Sequence, residues 1–566
     1  MRKFSSFPIL LAWFVFFLFV VVSSSFANGV AISNVSLEDR YPAADEAVIE
    51  FDIEWDNAYR AGYWYDCVWI FFKAKKNSGT TWYHVMVKDL AGEVIRTQEH
   101  ESFYSRGDNA DISLMASTDE TGVLLFPSQN GSQPSIYSND VRVVLNYGAA
   151  PLSAGDTDDI QVRVFAIEMI QIPEGSYSIP GDPTVANSLG YGSFDTDFTV
   201  SKTLVRHICS KDVNAYDDSQ LEGTGIGIDG DGGLDTDDNG TVDNANYPTG
   251  YTTYLLMKYE MTQGQYRDFL NTLTRVQQNT RTQTNLAVGV TNTTNRYVMS
   301  NTSTMSNRQG IRCPATFHTS NPITFGCDYD GDGTFDETVD GEWIAMNYLS
   351  WPDVCAYADW AGLRPATELE YERACWGAGV TYSDAYLAHG YQNVGIATGG
   401  PSNAGTNTER PDTVPSYPVN EYDSGFSGPI RVGFESTIGA TSNSRSGTSS
   451  GYYGNRGLSG NVWEYYVCLG TTACRAYAGS HGDGILTTTA SYEGNATNTD
   501  WPGINATSNR GVTSDATGYR GGSWNTDHEY GSAHYLAASD RTYASYAAPR
   551  ASDTGGRLAS DYPLER

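Results

Sequence analysis

The apolar residues of this chain change their spacing once, near Ile167, and the change divides the chain into two regions. Over Ile49–Asp56 apolar residues alternate with acidic ones, which is the period of a strand with one buried face. Further strand-like runs follow, separated by turn-rich stretches, and no helical pattern interrupts them. Several short strands without helices predict an all-β sandwich over residues 28–165.

Beyond Ile167, short helical patterns stand between long loops rich in glycine, serine, threonine and asparagine. The spacing of apolar residues predicts helices over Thr262–Leu273, Trp351–Trp360 and Thr367–Trp376, and the last begins with a capping-box pattern. Loops this long inside a compact domain usually need a metal ion or disulfides to hold them. The sequence therefore predicts an α+β protein, in which a sandwich precedes a loop-rich domain over residues 167–566.

The first residues have the composition of a targeting segment. Two basic residues precede an unbroken apolar run, Ile9–Val22, and Ser25–Ala27 offers a small-residue cleavage site. The run is shorter than the about 20 residues that a membrane-spanning helix needs, so a membrane anchor is the weaker alternative. We therefore expect residues 1–27 to be a signal peptide and the mature protein to be secreted or held at the cell surface.

Charge and cysteine content restrict the partners and the redox state. The formal net charge of −32 repels nucleic acid and anionic lipid, so we exclude both as partners. Export permits disulfides among the eight cysteines. The pairs Cys468/Cys474 and Cys313/Cys327 are close enough in sequence to bridge locally, whereas a buried thiol is the alternative for the two cysteines in predicted helices. Spacing alone leaves the connectivity open.

Two acidic loops have the spacing of calcium-binding loops. Each has oxygen-bearing residues at loop positions 1, 3, 5, 7 and 9 and a glycine at position 6, where the chain must turn sharply. Neither has a glutamate at position 12, so we expect structural sites, with Asp340 or Glu342 compensating in the second loop; an Asp-Gly turn without metal is the alternative. The candidate ligands are Asp235, Asp237, Asn239, Thr241 and Asp243, preceded by Asp229 and Asp231, in the first loop, and Asp328, Asp330, Asp332, Thr334 and Asp336 in the second.

Seven motifs in the second region follow one another in the order found in the formylglycine-generating-enzyme, or sulfatase-modifying-factor, family, which this region resembles. The resemblance implies a C-type-lectin-like core with little regular structure. That fold supports a copper-dependent oxidase in some members and a binding or display scaffold in others, so it does not decide the function. The segments that carry the resemblance are Met169–Tyr177, Tyr259–Tyr266, Asn347–Trp360, Leu363–Tyr371, Leu458–Glu464, Tyr519–Trp524 and Arg557–Ala559.

The catalytic cysteines of that family have no counterpart here. The resemblance implies two copper-binding cysteines shortly after the Gly-Gly-Ser motif, but the aligned positions hold Thr526 and Gly531, and no cysteine follows Cys474. We therefore expect no formylglycine formation. The alternative is an oxidoreductase whose metal is held by Asp527, His528 and His534, which are solvated loop residues if no metal binds there.

The resemblance also implies a calcium site in the Gly-Asn-Val-Trp-Glu segment. Backbone oxygens of Gly460 and Val462 and the carboxylate of Glu464 would supply the ligands. Gly457 stands where the family has an asparagine or aspartate, and this departs from the family pattern.

The segment between Trp524 and Arg557 is rich in tyrosine and serine, the chemistry of adaptable binding surfaces. Leu536 is its one long aliphatic residue, so we expect the segment to lie outside the core. The expected partner is an extracellular protein, a glycan or a second copy of the chain. The sequence thus favours an exported, non-catalytic binding or structural protein, and its candidate ligand-binding residues are Asn525, His528, Tyr530, Tyr535, Tyr543 and Tyr546.

Overall fold

The protein is α+β and rich in strands, as predicted. Within the described part of the chain, no helix is long and apolar enough to span a membrane. The computed structural model describes residues 29–41, 45–62, 64–88, 112–155, 158–179, 189–191, 198–200, 208–210, 234, 243–378, 387–390, 395–413, 418–420, 425–437, 449–469, 471–505, 508–509, 517–526, 535–541, 543 and 549–562; the predicted signal peptide lies outside them.

The described residues of the N-terminal region form eight strands, which make up most of one large antiparallel sheet. The second strand pairs with the first and the seventh, and the third pairs with the fourth, the sixth and the eighth. The strands are β1 (Val30–Tyr41), β2 (Glu46–Ala61), β3 (Trp64–Lys76), β4 (Tyr83–Val85), β5 (Ile112–Ala116), β6 (Val123–Pro127), β7 (Gly131–Asn146) and β8 (Ile160–Ile172).

Strand β3 is buried on both faces, because successive side chains of a strand point to opposite sides. Val68 and Ile70 pack with apolar residues of β2 and β7 in a core formed by the N-terminal strands alone. Trp69 and Phe71 instead enter a second core whose other members come largely from the loop-rich region. The ring of Phe71 meets that of Trp360 edge-on at 4.9 Å. One strand therefore closes two cores.

The large sheet also continues into the second region. Strand β8 pairs on one side with β3 and on the other with a strand at Tyr254–Met257, with Met169 opposite Met257. At this junction Lys258 Nζ lies 2.9 Å from Asp66 Oδ2 and 3.3 Å from Glu168 Oε2, and all three side chains are buried. The predicted change of pattern near residue 167 thus falls inside β8, and no linker separates the two regions there.

The described residues of the second region contain five short α-helices. The three predicted helices are present, and Arg275–Arg281 and Thr472–Arg475 are two that the sequence analysis did not predict. Four of the five begin with a capping box; at the helix Glu368–Trp376, Thr367 Oγ1 accepts from Glu370 N–H at 3.2 Å. The helices are α1 (Gln263–Leu270), α2 (Arg275–Arg281), α3 (Trp351–Trp360), α4 (Glu368–Trp376) and α5 (Thr472–Arg475).

The remaining strands are short, and most form two-stranded pairs within loops. Some of these pairs are local, whereas β21 joins β24 and β25, and β16 joins β26, across long stretches of the chain. They are β9 (Tyr177–Ile179), β10 (Leu189–Tyr191), β11 (Phe198–Val200), β12 (Ile208–Ser210), β13 (Tyr254–Met257), β14 (Ile311–Arg312), β15 (Gly326–Cys327), β16 (Arg364–Pro365), β17 (Gly395–Ile396), β18 (Thr398–Ser402), β19 (Arg410–Thr413), β20 (Pro418–Val419), β21 (Trp463–Tyr466), β22 (Ile504–Asn505), β23 (Ser508–Asn509), β24 (Gly518–Arg520), β25 (Thr554–Gly556) and β26 (Leu558–Ser560).

Buried ion pairs hold these loops. Glu368, at the start of α4, accepts from Arg520 Nη1 at 2.9 Å and from Arg541 Nε at 2.7 Å, and its Oε1 also accepts from Leu469 N–H. Arg364 forms a two-pronged pair with Glu370, at 2.6 and 2.9 Å. These side chains are all fully buried. Arg520 and Arg541 therefore connect α4 to segments 152 and 173 residues further along the chain, whereas Arg364 ties α4 to the strand just before it.

Candidate metal and ligand sites

The Gly-Gly-Ser segment, where the resemblance places the copper-binding cysteines, forms a closed network of hydroxyls. Ser523 N–H donates to Thr526 Oγ1 at 3.0 Å, and the two hydroxyl oxygens lie 2.9 Å apart. Ser523 Oγ also donates to Asp553 Oδ2 at 3.0 Å. Ser523 and Thr526 are buried, so Thr526 closes a turn here. Gly531 and the alternative ligands Asp527, His528 and His534 lie outside the described residues.

The described free cysteines do not have the properties of copper ligands. All of them are buried, and burial raises the pKa of Cys313 to about 11 and holds those of Cys67, Cys327 and Cys355 well above the usual thiol range. The thiolate is the form that binds metal, so these thiols remain protonated and inert near neutral pH. Of the two pairs whose spacing permits a local bridge, Cys468 and Cys474 form a disulfide, whereas Cys313 and Cys327 are both free.

The second acidic loop brings three carboxylates together. One oxygen each of Asp328, Asp330 and Asp332 lies within 4.8 Å of the others. Backbone N–H groups order the loop: Gly333 donates to Asp328 Oδ1 at 3.4 Å, and Thr334 donates to Asp332 Oδ1 at 2.6 Å. Gly333 has a φ of +94°, which a glycine adopts without strain. The predicted positions 1, 3 and 5 therefore converge, with Asp328 buried and the other two exposed.

The ninth position of that loop faces elsewhere. Asp336 Oδ1 accepts from Cys327 N–H at 2.9 Å and from Arg267 Nη1 at 2.6 Å, so it ties the loop to α1. At position 1, Asp328 Oδ2 is ion-paired with Arg312. The guanidinium of Arg312 also lies 5.2 Å from the centre of the Tyr297 ring, whose hydroxyl donates to the Asp328 carbonyl at 3.2 Å. These arginines are the neighbours of the loop that the sequence analysis missed.

Asp340 lies four residues beyond the loop and is fully buried. Its Oδ2 accepts from Glu337 N–H at 2.8 Å, whereas its Oδ1 has no hydrogen-bond partner among the described residues. Burial, together with the charges of Asp330 and Asp328, raises the pKa of the Asp340 carboxyl to about 6. The backbone around Asp340 is fixed, since Gly341 N–H donates to the Gly405 carbonyl at 2.8 Å.

Of the first acidic loop, the structure describes one candidate ligand. Asp243 is exposed, and its N–H donates to the Leu234 carbonyl at 2.7 Å. The other candidates, Asp229, Asp231, Asp235, Asp237, Asn239 and Thr241, lie outside the described residues. The structure therefore gives no geometry for a site in this loop, which stays a prediction.

The Gly460–Glu464 segment is arranged around an arginine. Glu464 Oε1 accepts from Arg557 Nε at 2.8 Å, and its Oε2 accepts from the Tyr466 hydroxyl. Gly460, Val462 and Glu464 are all buried. Both carboxylate oxygens of Glu464 thus accept from protein donors, and a calcium site in this segment stays a prediction.

Gly457 precedes this segment and departs from the family pattern. Its missing side chain leaves room for the carboxyl group of Glu260. A Cβ built on Gly457 would lie 2.3 Å from Glu260 Cδ, so the Glu260 side chain fills that space. Glu260 Oε1 accepts from Asn461 Nδ2 at 3.0 Å, and burial raises the pKa of Glu260 to about 8. The departure at Gly457 is therefore compensated by packing.

The predicted C-terminal binding surface is only partly a surface. Asn525 is exposed, and Tyr535 and Tyr543 are half-buried, with their rings stacked at 5.7 Å over an aromatic group that includes Trp463. Residues Leu536–Arg541 are buried, so the expectation that this segment lies outside the core is wrong there. The reason is the Arg541–Glu368 pair, which holds the segment inside. His528, Tyr530 and Tyr546 lie outside the described residues.

A cavity of about 290 Å³ lies where the two regions meet. Its walls include Val30 and Phe165 from the N-terminal strands, Trp343 and Trp360 from the second region, and the carboxyl-bearing side chain of Glu342. This volume is near the lower limit of small-molecule sites. The cavity was not predictable from the sequence, because its walls come from segments far apart in the chain.

Residues 230–562 match the family model described as the Sulfatase-modifying factor enzyme 1-like domain. The chain belongs to this family. The match covers more than half of the chain and contains the second acidic loop, α1 to α5 and the Gly-Gly-Ser segment. A comparison with curated proteins found no match. Strands β1 to β8 lie outside the matched residues, so in this sulfatase-modifying-factor protein a strand from outside the family domain, β3, completes the core of that domain.

Proposed function

We propose that this protein is a non-catalytic member of the sulfatase-modifying-factor family that acts in binding or assembly outside the cell. The observation that carries the proposal is the buried Thr526, whose hydroxyl closes the Ser523 turn at a position where the family resemblance places a copper-binding cysteine. A hydroxyl is a poor ligand for cuprous copper, which prefers thiolates. The described free thiols are buried and protonated, so they do not replace it.

The test is aerobic turnover of a cysteine-containing peptide by the purified protein loaded with copper or iron. We expect the peptide thiol to remain unchanged. The double variant Thr526→Cys, Gly531→Cys restores the cysteine pair and serves as a matched control for copper binding. Robust turnover by the unchanged protein would refute the proposal and support the alternative, an oxidoreductase with a non-cysteine metal site.

The same proposal includes a fold for each region, export from the cell and a stabilising ion. The N-terminal strands are proposed to form a β-sandwich, which is supported by the core that β2 and β7 enclose with β3 and β6. The family region is proposed to have the C-type-lectin-like fold, supported by its few short helices among long loops. Export is proposed from the leader-like first 27 residues. Calcium is the proposed stabilising ion.

The proposed partner is an extracellular protein or a glycan, with nucleic acid excluded by the charge of −32. Exposed Asn525 and the outer edges of Tyr535 and Tyr543 support a contact surface here, since tyrosine and asparagine give stiff area and adaptable hydrogen bonds. Binding to an immobilised glycan panel tests it. We expect Asn525→Ala to weaken binding without changing the melting temperature; equal binding by the variant would place the contact elsewhere.

A further inference from the structure

We propose that Asp340 completes a calcium site on the Asp328–Asp336 loop, and that calcium competes with Arg312 for Asp328. The inference rests on the proposed calcium-stabilised role and adds a ligand and a competing cation to it. It is independent of whether the family domain has any oxidase activity.

The first step is the surplus of negative charge in the loop. Three carboxylates converge within 4.8 Å, and Arg312 is the cation paired with one of them, Asp328. No described cation pairs with Asp330 or Asp332, whose oxygens accept only from N–H groups of the loop itself. Like charges held this close repel unless a cation lies between them.

The second step is the unpartnered oxygen of Asp340. A buried carboxyl oxygen without a hydrogen-bond donor is costly, so its presence indicates a partner other than the protein's own polar groups. The Asp340 carbonyl lies 3.6 Å from the position that a Cβ of Gly310 would take, and the Gly310 carbonyl accepts from Asp328 N–H at 3.0 Å. Asp340 therefore lies beside the first residue of the loop. Its carboxylate stands outside the group of three that converge, and calcium binding would draw it in.

The ligands of this loop are oxygen atoms, which favour calcium. Calcium takes six to eight oxygen ligands at flexible distances, whereas zinc and copper prefer nitrogen and sulfur. Asp328, Asp330, Asp332 and Asp340 supply four carboxylates, and the carbonyl of Thr334 stands at the loop position that contributes a backbone oxygen. Water would complete the shell. In this arrangement Asp340 takes the part of the missing acidic residue at position 12.

The last step concerns Arg312. Its guanidinium pairs with Asp328 Oδ2, while Asp328 Oδ1 accepts from Gly333 N–H at 3.4 Å. Calcium bound through Asp328 Oδ2 would displace the guanidinium from this buried pair. Arg312 thus holds the loop together before calcium arrives and lowers the calcium affinity of the site.

Terbium luminescence, excited through the neighbouring Tyr297 and Tyr329 and competed with calcium, tests the proposal on the full-length protein. The part of the signal that Asp330→Asn removes belongs to this loop and not to the first one. We expect Asp340→Asn to weaken that part about tenfold or more, because calcium affinity follows the number of charged ligands. Asp412→Asn, at an exposed carboxylate on β19, is the matched control and should leave the signal unchanged. Arg312→Gln should tighten calcium binding.

The outcomes separate the inference from the proposed function. If the unchanged protein gives no terbium signal that added calcium reduces, the calcium-stabilised role and the inference both fail. If Asp330→Asn removes signal but Asp340→Asn binds like the unchanged protein, calcium binds and the ligand set proposed here is wrong. If Asp340→Asn does not fold, Arg312→Gln decides: unaltered or weaker calcium affinity would overturn the competition, and tighter affinity would support it.

Discussion

The two regions of this protein build their buried interiors by different means. The N-terminal strands bury alternating apolar side chains such as Ile49, Phe51, Val68 and Ile70 in a core without buried ion pairs among its members. The sulfatase-modifying-factor domain has little regular structure, and its loops are held by fully buried arginine–carboxylate pairs such as the one that joins Arg520 to Glu368. The difference shows that long loops can be ordered by a few charged contacts between distant segments.

This difference has consequences for sensitivity to mutation. An apolar core loses stability in proportion to the volume removed, because neighbours relax only in part. A buried ion pair is different, since removal of one partner leaves the other charge buried without compensation. The two regions are nevertheless joined, because β3 belongs to both cores and β8 pairs with β13.

The largest expected effect is that of removing the N-terminal strands. A chain that begins at Ile160 lacks β3, and with it Trp69, which stacks on Tyr562 at 5.2 Å, and Phe71. The family domain would expose the apolar face that β3 covers, so we expect an aggregated chain without a cooperative unfolding transition. Sedimentation velocity and near-ultraviolet circular dichroism test this. A soluble, cooperatively folded fragment would show that the domain is complete without β3.

The next effect is the loss of a buried carboxylate. Glu368→Ala leaves Arg520 and Arg541 buried without their shared partner, so we expect the free energy of unfolding to fall by about 3–5 kcal/mol. The control is Glu50→Gln in the N-terminal region, where Glu50 pairs with Arg142 at 2.6 Å near solvent and should matter by about 1 kcal/mol or less. Urea unfolding of both variants measures the difference. Equal small losses would mean that the buried pairs do not hold the loops.

Adjacent residues of β3 test the two cores against each other. Ile70→Ala opens the core of the N-terminal strands, and Phe71→Ala opens the core shared with the family domain. We expect losses of about 2–5 kcal/mol and 3–5 kcal/mol respectively. Both variants should shift the unfolding of the whole molecule, since the cores share this strand. A variant that shifts only part of the spectroscopic signal would indicate that the cores unfold separately.

The smallest effect is a pH dependence at the junction. Lys73 Nζ lies 3.0 Å from His84 Nδ1 and donates to the Gly484 carbonyl at 3.2 Å, and burial lowers the pKa of Lys73 to about 7 against the opposing charges of Asp359 and Asp483. The unfolded chain keeps this proton up to the usual lysine pKa, so unfolding binds a proton between about pH 7 and 10 and stability rises with pH in that window.

Lys73→Met removes the titrating group and should flatten this rise. The melting temperature of the variant minus that of the unchanged protein should therefore decrease steadily from pH 7 to pH 10, whatever its value at pH 7. Differential scanning fluorimetry at closely spaced pH values suffices. A difference that is constant across the window would mean that Lys73 is charged throughout the folded state.

Regular elements were the predictable part of this structure. Alternation identified the strand at Ile49, and the capping box at Thr367 located α4 within one residue, because local spacing determines both. The loop carboxylates Asp328, Asp330 and Asp332 converge as their spacing indicated, since glycine at position 6 closes the turn.

The remaining features depend on contacts between distant segments, which spacing does not reveal. Arg312 pairs with Asp328 across β14 and β15, and Arg541 draws its segment into the core through Glu368. The shared role of β3 was hidden for a related reason: a strand buried on both faces shows a continuous apolar run and not an alternation. The family domain covers the second face of β3, and the N-terminal sequence alone does not show that this domain packs there.

The most direct test of the account is calorimetric unfolding of the protein with both regions intact. If β3 and β8 join the N-terminal strands and the sulfatase-modifying-factor domain into one unit, heat absorption should show a single transition whose calorimetric and van't Hoff enthalpies agree. The disruption of either core, by Ile70→Ala or Phe71→Ala, should move that one transition. Two separable transitions, each affected by only one of the two substitutions, would contradict the account.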